Sequence, residues 1–112
     1  MGIVFDKSAG ASFNIGSLVF YNSVVFKSEE LKKVFEGSSF GLSFPGGGIT
    51  FGQINYNSIE ELTSSTKFSI QGTLIAMSVE FLQGTTVTGL FVGGGVSTVV
   101  GVSGGSGSWS DI

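Results

Sequence analysis

The 112-residue sequence has no cysteine, no histidine and no arginine, and a single proline. The lack of cysteine excludes disulfides and thiolate metal sites. The lack of histidine removes the commonest general base and makes a Ser–His–Asp arrangement impossible. Five lysines stand against eight acidic residues, giving a net charge of −3 and an isoelectric point of about 4.6. Nucleic acid is therefore not an expected partner, because phosphate contacts require clustered Lys and Arg. Charge of either sign is scarce at 12% of residues, while 41% are hydrophobic and mean hydropathy is +0.43. Disordered chains show the opposite balance. The composition predicts one folded domain over residues 1–112, with the eleven phenylalanines as candidate core.

Long apolar runs are also missing. None reaches the ~18 residues of a spanning helix, so no transmembrane segment is expected. The stretch Met1–Phe5 is shorter than the ~7–15-residue core of a signal peptide. Asp6 departs from the myristoylation pattern. The expected location is cytoplasmic, or secreted or at the cell surface where a signal peptide has been removed.

Glycine is abundant, with nineteen residues separating short runs rich in Val, Ile, Phe, Thr and Ser. That is strand-and-turn composition. The clearest alternation runs from Thr73 to Phe81. It places Ile75, Met77, Val79 and Phe81 on one face and Leu74, Ala76, Ser78 and Glu80 on the other. Two segments read as short helices. One is Ser28 to Phe35, with Ser28 as cap and Leu31, Val34 and Phe35 on one stripe. The other is Asn57 to Leu62, capped by Asn57 or Ser58, with Glu60 and Glu61 in the first turn.

An internal repeat organises the chain. Phe13, Ile15, Gly16, Leu18, Ser23, Val24 and Phe26 align with Phe68, Ile70, Gly72, Leu74, Ser78, Val79 and Phe81. Gly37-Ser38-Ser39 aligns with Gly84-Thr85-Thr86, and the run Phe44 to Thr50 with Phe91 to Ser97. The alignment places gaps at Asn22 and Gln71 and an insertion near Lys27–Val34. The halves span about 12–56 and 67–109, with about four strands each. Neither half can bury its own apolar face, so the two are expected to close on each other as an all-β barrel related by an approximate two-fold axis. Val19, Tyr21, Val24 and Phe26 fall out of phase by one against Ile75, Met77, Val79 and Phe81, which predicts a bulge near Asn22-Ser23.

Two stretches carry a resemblance. Val34-Phe35-Glu36-Gly37 followed by Gly41 to Gly48 is similar to the middle of the virulence-associated protein (Vap) family, and Val96 to Trp109 resembles its closing segment. The likeness covers about residues 12–109. It implies an eight-stranded antiparallel closed barrel of two Greek-key halves with one or two short helices. It further implies a non-enzymatic, secreted virulence protein acting on host proteins or at phagosomal membranes. No catalytic residue and no cofactor come with that resemblance.

The residues themselves offer little catalytic chemistry. Acid–base candidates are Asp6, Glu29, Glu30, Glu36, Glu60, Glu61, Glu80 and Asp111. Solvation or helix-dipole complementarity accounts for the pairs Glu29/Glu30 and Glu60/Glu61. The glycine runs 46–48 and 93–95 lack the Gly-Lys-Ser/Thr ending and the following helix of a phosphate loop, and read instead as turns or strand corners. Trp109 after the Gly-Ser run 101–108 indicates a docked strand rather than a linker. Tyr21, Tyr56 and Trp109 are the candidate surface-binding aromatics, for a carbohydrate- or lipid-binding barrel as the alternative function; otherwise they cap barrel ends with their polar tips wet. No enzymatic activity, cofactor or metal is expected.

Overall fold

The structure, a computed structural model, describes residues 5–18, 21–40, 46–72, 76–97 and 101–112. Eight strands and one helix follow in chain order. The strands are β1 (Lys7–Leu18), β2 (Tyr21–Ser28), β3 (Lys33–Phe40), β4 (Gly46–Tyr56), β5 (Lys67–Gly72), β6 (Ala76–Gln83), β7 (Thr86–Ser97) and β8 (Gly101–Asp111), with α1 (Ile59–Thr63) between β4 and β5. They form a closed barrel in the order β1-β2-β3-β8-β5-β6-β7-β4, and every pairing is antiparallel. Each set of four lies in the spatial order fourth-first-second-third, which defines a Greek key. Exchanging β1–β4 with β5–β8 leaves the cyclic order unchanged.

The repeat is more regular than the sequence alignment suggests. Phe13↔Phe26 and Ile15↔Val24 pair across β1 and β2, and Phe68↔Phe81 and Ile70↔Val79 pair identically 55 positions later across β5 and β6. No gap is needed. β2 pairs regularly with both neighbours through Asn22 and Ser23, so the bulge predicted there does not exist. A register shift lies instead in the second half, between Phe81 and Leu82. The misreading has a physical cause. Asn22 points inward and is buried, held by a hydrogen bond from its Nδ2 to Ser39 Oγ at 3.1 Å, while Tyr21 points outward. A polar residue inside and an aromatic outside invert the hydrophobic phase at that place.

The glycine alignments are also corrected. Gly37-Ser38-Ser39 lies within β3, whereas Gly84-Thr85 is the two-residue turn between β6 and β7. Glycines 46–48 belong to β4 and 93–95 to β7, strands that pair with each other, so they are not repeat equivalents. Val19, Phe44, Pro45, Leu74 and Ile75 lie outside the described residues.

One of the two expected helices forms. Ser58 caps α1, its Oγ accepting from Glu61 N at 3.1 Å. The other segment is a hairpin turn of four residues, 29–32, between the paired Ser28 and Lys33. Ser28 does cap it, since its Oγ accepts from Leu31 N at 3.2 Å while donating to the Gly10 carbonyl at 2.8 Å. Lys32 adopts φ +57°, which stops a helix and returns the chain as β3. The shorter turn 84–85 has Gly84 at φ +62° in its first central position, as a type II′ hairpin requires.

The interior is a stack of rings. Phe13, Phe26, Phe35, Phe68, Phe81 and Phe91 are all buried. Phe26 meets Phe81 and Phe91 edge-on at centroid distances of 5.0 and 5.7 Å, and Phe35 meets Phe68 and Phe81 at 5.7 and 5.2 Å. Each such burial stabilises the fold by about 1.5–3 kcal/mol. Leu62 of α1 is fully buried in the same cluster. Gly89 leaves it room, because a Cβ there would lie 2.5 Å from Leu62 Cδ1. Among the described residues every buried side-chain polar atom has a partner.

Candidate functional site

Two seams, β3/β8 and β4/β7, join the halves, and glycine lines the inside of both. Gly52 and Gly95 face the Val92 and Ile49 carbonyl oxygens across β4/β7 so closely that a Cβ would collide with them. Gly105 and Gly107 meet the Ser38 and Glu36 carbonyls in the same way across β3/β8. Large rings occupy the vacated space: Phe91 lies over Gly93, and Phe35 over Gly37 and Gly107. The seams correspond pair for pair. Gly52↔Gly93 matches Gly107↔Gly37, and Ile54↔Phe91 matches Trp109↔Phe35.

Outside, the seams diverge. Across β3/β8 the outward pairs are Ser106↔Ser38 and Ser108↔Glu36. Their counterparts across β4/β7 are Phe51↔Gly94 and Gln53↔Val92, with Ile49 one outward step further along β4. Phe51 is 62% exposed, Val92 51% and Ile49 41%. These are three of the five large hydrophobic residues exposed among the described residues, and they share one face. The β3/β8 seam builds the same barrel with serine, glycine and glutamate in these places, so barrel closure does not require the apolar ones.

A groove of about 350 Å³ borders this face. Its floor is β1, whose outward residues there are Gly10 and Ser12. Phe51 forms one wall, directly opposite Ser12 in register. Lys27, also opposite Ser12, forms the other with Glu29 and Glu30 of the turn. Lys27 pairs with Glu29 at 2.9 Å. Glu30 Oε1 accepts from Gly10 N at 3.2 Å.

The three aromatics singled out in the sequence are not brought together. Trp109, on β8, is half-buried against Phe26, Phe35 and Phe81, with centroids 5.2–5.6 Å away, and its Nε1 donates to Ser65 Oγ at 2.9 Å. Tyr56 is buried at 7% exposure. Tyr21 is exposed, at the opposite end of the barrel from Trp109. Trp109 does dock a strand, as its position after the Gly-Ser run suggests. The carboxylates are dispersed: seven are exposed and Glu80 is half-buried. Among the described residues no three His, Cys, Asp or Glu approach as a metal site. No helix among them is long and apolar enough to cross a membrane.

Sequence reasoning missed the outward face because Phe51, as one of the eleven phenylalanines, read as core. The structure buries Thr50 and Ile54 instead, with Thr50 Oγ1 donating to the Phe13 carbonyl at 3.4 Å. The 55-residue step set by the Phe and Ile spacings of the two halves pairs Phe51 with Ser106, and that contrast was the available signal.

A small closed barrel of two Greek-key halves, with glycine seams and one capping helix, defines the class of protein. Residues 3–110 match the family described as Rhodococcus equi virulence-associated protein, and the chain belongs to that family. Among solved structures it is similar to virulence-associated protein VapB from the intracellular pathogen Rhodococcus equi. The two share 29% identity and a TM-score of 0.85 over 95% of this chain and 98% of the other. It also shares the fold of virulence-associated protein VapD from the same organism, at 24% identity and a TM-score of 0.87 over 96% and 100% of the two chains. A comparison with curated protein sequences gave no match.

Proposed function

We propose that this protein is a non-enzymatic interaction protein of the virulence-associated type, engaging a host protein or membrane surface through the outer face of the β4/β7 seam. The observation that carries this reading is the contrast between the two seams. Equivalent positions hold Ser106 and Glu36 on one and Phe51 and Val92 on the other. Exposed apolar groups that closure does not need are the ordinary mark of a contact surface. The role requires export from the producing cell, by secretion or display.

The test compares the wild-type protein with a Phe51→Ser, Val92→Glu double variant. Both are presented to host membrane fractions, to synthetic vesicles and to a glycan array. Binding to membranes or vesicles that the double variant loses supports the reading. Binding that the double variant retains places the contact elsewhere. Glycan binding that depends on Tyr21 or Trp109 would favour a carbohydrate-binding barrel. Turnover of ester, peptide, glycoside or phosphate substrates that is lost with one carboxylate would overturn the non-enzymatic reading.

A further inference from the structure

We propose that the groove along β1 docks a segment of a partner protein that carries an apolar side chain flanked by lysine or arginine. The inference rests on the interaction role above and assigns its partner chemistry.

Shape comes first. Ser12 has Phe51 on one side and Lys27 on the other in direct register. The walls therefore stand two strand spacings apart, roughly 10 Å, which admits one chain segment. The groove exists because Gly10 and Ser12 are small. Its Phe51 wall supplies an exposed aromatic ring, which can take an apolar side chain or a cation.

Charge then selects the occupant. Glu29 is paired with Lys27, so Glu30 supplies the net negative charge of the opposite wall. The Gly10 amide holds its Oε1 and uses one acceptor position, where a carboxylate offers about four. A carboxylate held this way across the groove from an apolar wall fits a guanidinium or ammonium group adjacent to an apolar anchor. Anionic lipid would meet like charge. A second copy of this chain, with net charge −3, would also be repelled.

The other half acts as an internal control. Lys67 on β5 occupies the place of Ser12, Ser106 that of Phe51, and the two-residue turn 84–85 replaces the four-residue turn that carries Glu29 and Glu30. Floor, apolar wall and acidic wall are thus all absent at the equivalent place of the same barrel.

The experiment is an amide chemical-shift titration of the whole protein with a capped Lys-Lys-Phe-Lys-Lys peptide at low salt. Saturable shifts at Gly10, Ser12, Lys27, Glu30 and Phe51 are expected, weakening as salt is added. Capped Glu-Glu-Phe-Glu-Glu and Lys-Lys-Ser-Lys-Lys should give none. Phe51→Ser should weaken binding about tenfold or more, the scale of losing a central interface anchor. Glu30→Gln, which keeps the acceptor for Gly10, should weaken it about threefold, the scale of an exposed ion pair. Ser106→Ala, on the opposite seam and outside the groove, should leave peptide binding intact; host-membrane binding with no peptide shifts would overturn the groove and leave the wider face standing. Phe51→Ser places the residue of the opposite seam at an exposed site, and its own spectrum verifies folding. Equal binding of the acidic peptide, shifts confined to another face, the same shifts with phosphatidylserine vesicles, or concentration-dependent shifts without peptide would each overturn the proposal.

Discussion

The two seams of this barrel are alike inside and unlike outside. Within, both use glycine so that Phe35 and Phe91 can lie across the strand backbone. Outside, one carries Ser106, Ser108 and Glu36, and the other Phe51, Gln53 and Val92. Closing a barrel of eight strands with six phenylalanines inside leaves little freedom on the inner face, because strand count fixes the interior width. The outer face has no such constraint. Divergence there, at positions related by the repeat, separates what the fold needs from what it merely carries.

The largest effects should come from the shared interior. Phe35→Ala and Phe91→Ala each remove a buried ring at equivalent places and should each cost about 3–5 kcal/mol in urea denaturation. Costs that differ by more than about 2 kcal/mol between the two would break the equivalence of the seams. Next are the glycines. Gly52→Ala and Gly107→Ala place a methyl group against the partner strand's carbonyl oxygen, and each should cost about 1–3 kcal/mol or more. A neutral result at either position would mean that strand can move aside.

The outer face should behave oppositely. Phe51→Ser and Val92→Glu exchange the exposed residues of one seam for those of the other, and should each change stability by less than about 0.5 kcal/mol. The same double variant should bind less of a hydrophobic dye such as ANS. A stability loss of several kcal/mol would show that these side chains support the fold, and would remove the reason for reading them as a contact surface.

The fold was legible where local physics and packing agree. Period-two alternation marks β6, whose Met77, Val79 and Phe81 are buried. The Ser58 cap with Glu60 and Glu61 after it marks α1. The Phe and Ile spacings of β1 and β5 disclose the repeat. Legibility fails where packing overrides the local pattern. Ser28, Leu31, Val34 and Phe35 have helical spacing, but Ser28 pairs with Lys33 and the turn closes through Lys32 in the left-handed region. Asn22 is polar and inside because Ser39 on the next strand receives its hydrogen bond, a partner invisible from β2 alone. The candidate surface was hidden for a related reason. An exposed Phe51 has the same identity as a buried Phe26, and only the register distinguishes them.

The smallest effect concerns acid, and it sharpens the comparison through charge. The β3/β8 seam ends in an ion pair between Lys33 and Asp111, whereas β4/β7 has none among the described residues. The other pair, Lys27 with Glu29, edges the groove. Both are surface pairs, whose measured worth is about 0–1 kcal/mol. The core cluster contains no carboxylate and no lysine, and the chain has no histidine. Apolar burial, which pH does not alter, therefore carries the stability. Ordinary carboxylates are still more than half ionised at about pH 4.5. Circular-dichroism melts should accordingly give a Tm that moves by no more than about 4–8 °C between pH 7 and 4.5, the shift that 1 kcal/mol produces in a domain of this size. Lys33→Ala, which removes the ion pair of the charged seam, should cost no more than about 1 kcal/mol at pH 7. A steeper fall in Tm would overturn the view that apolar burial carries the stability.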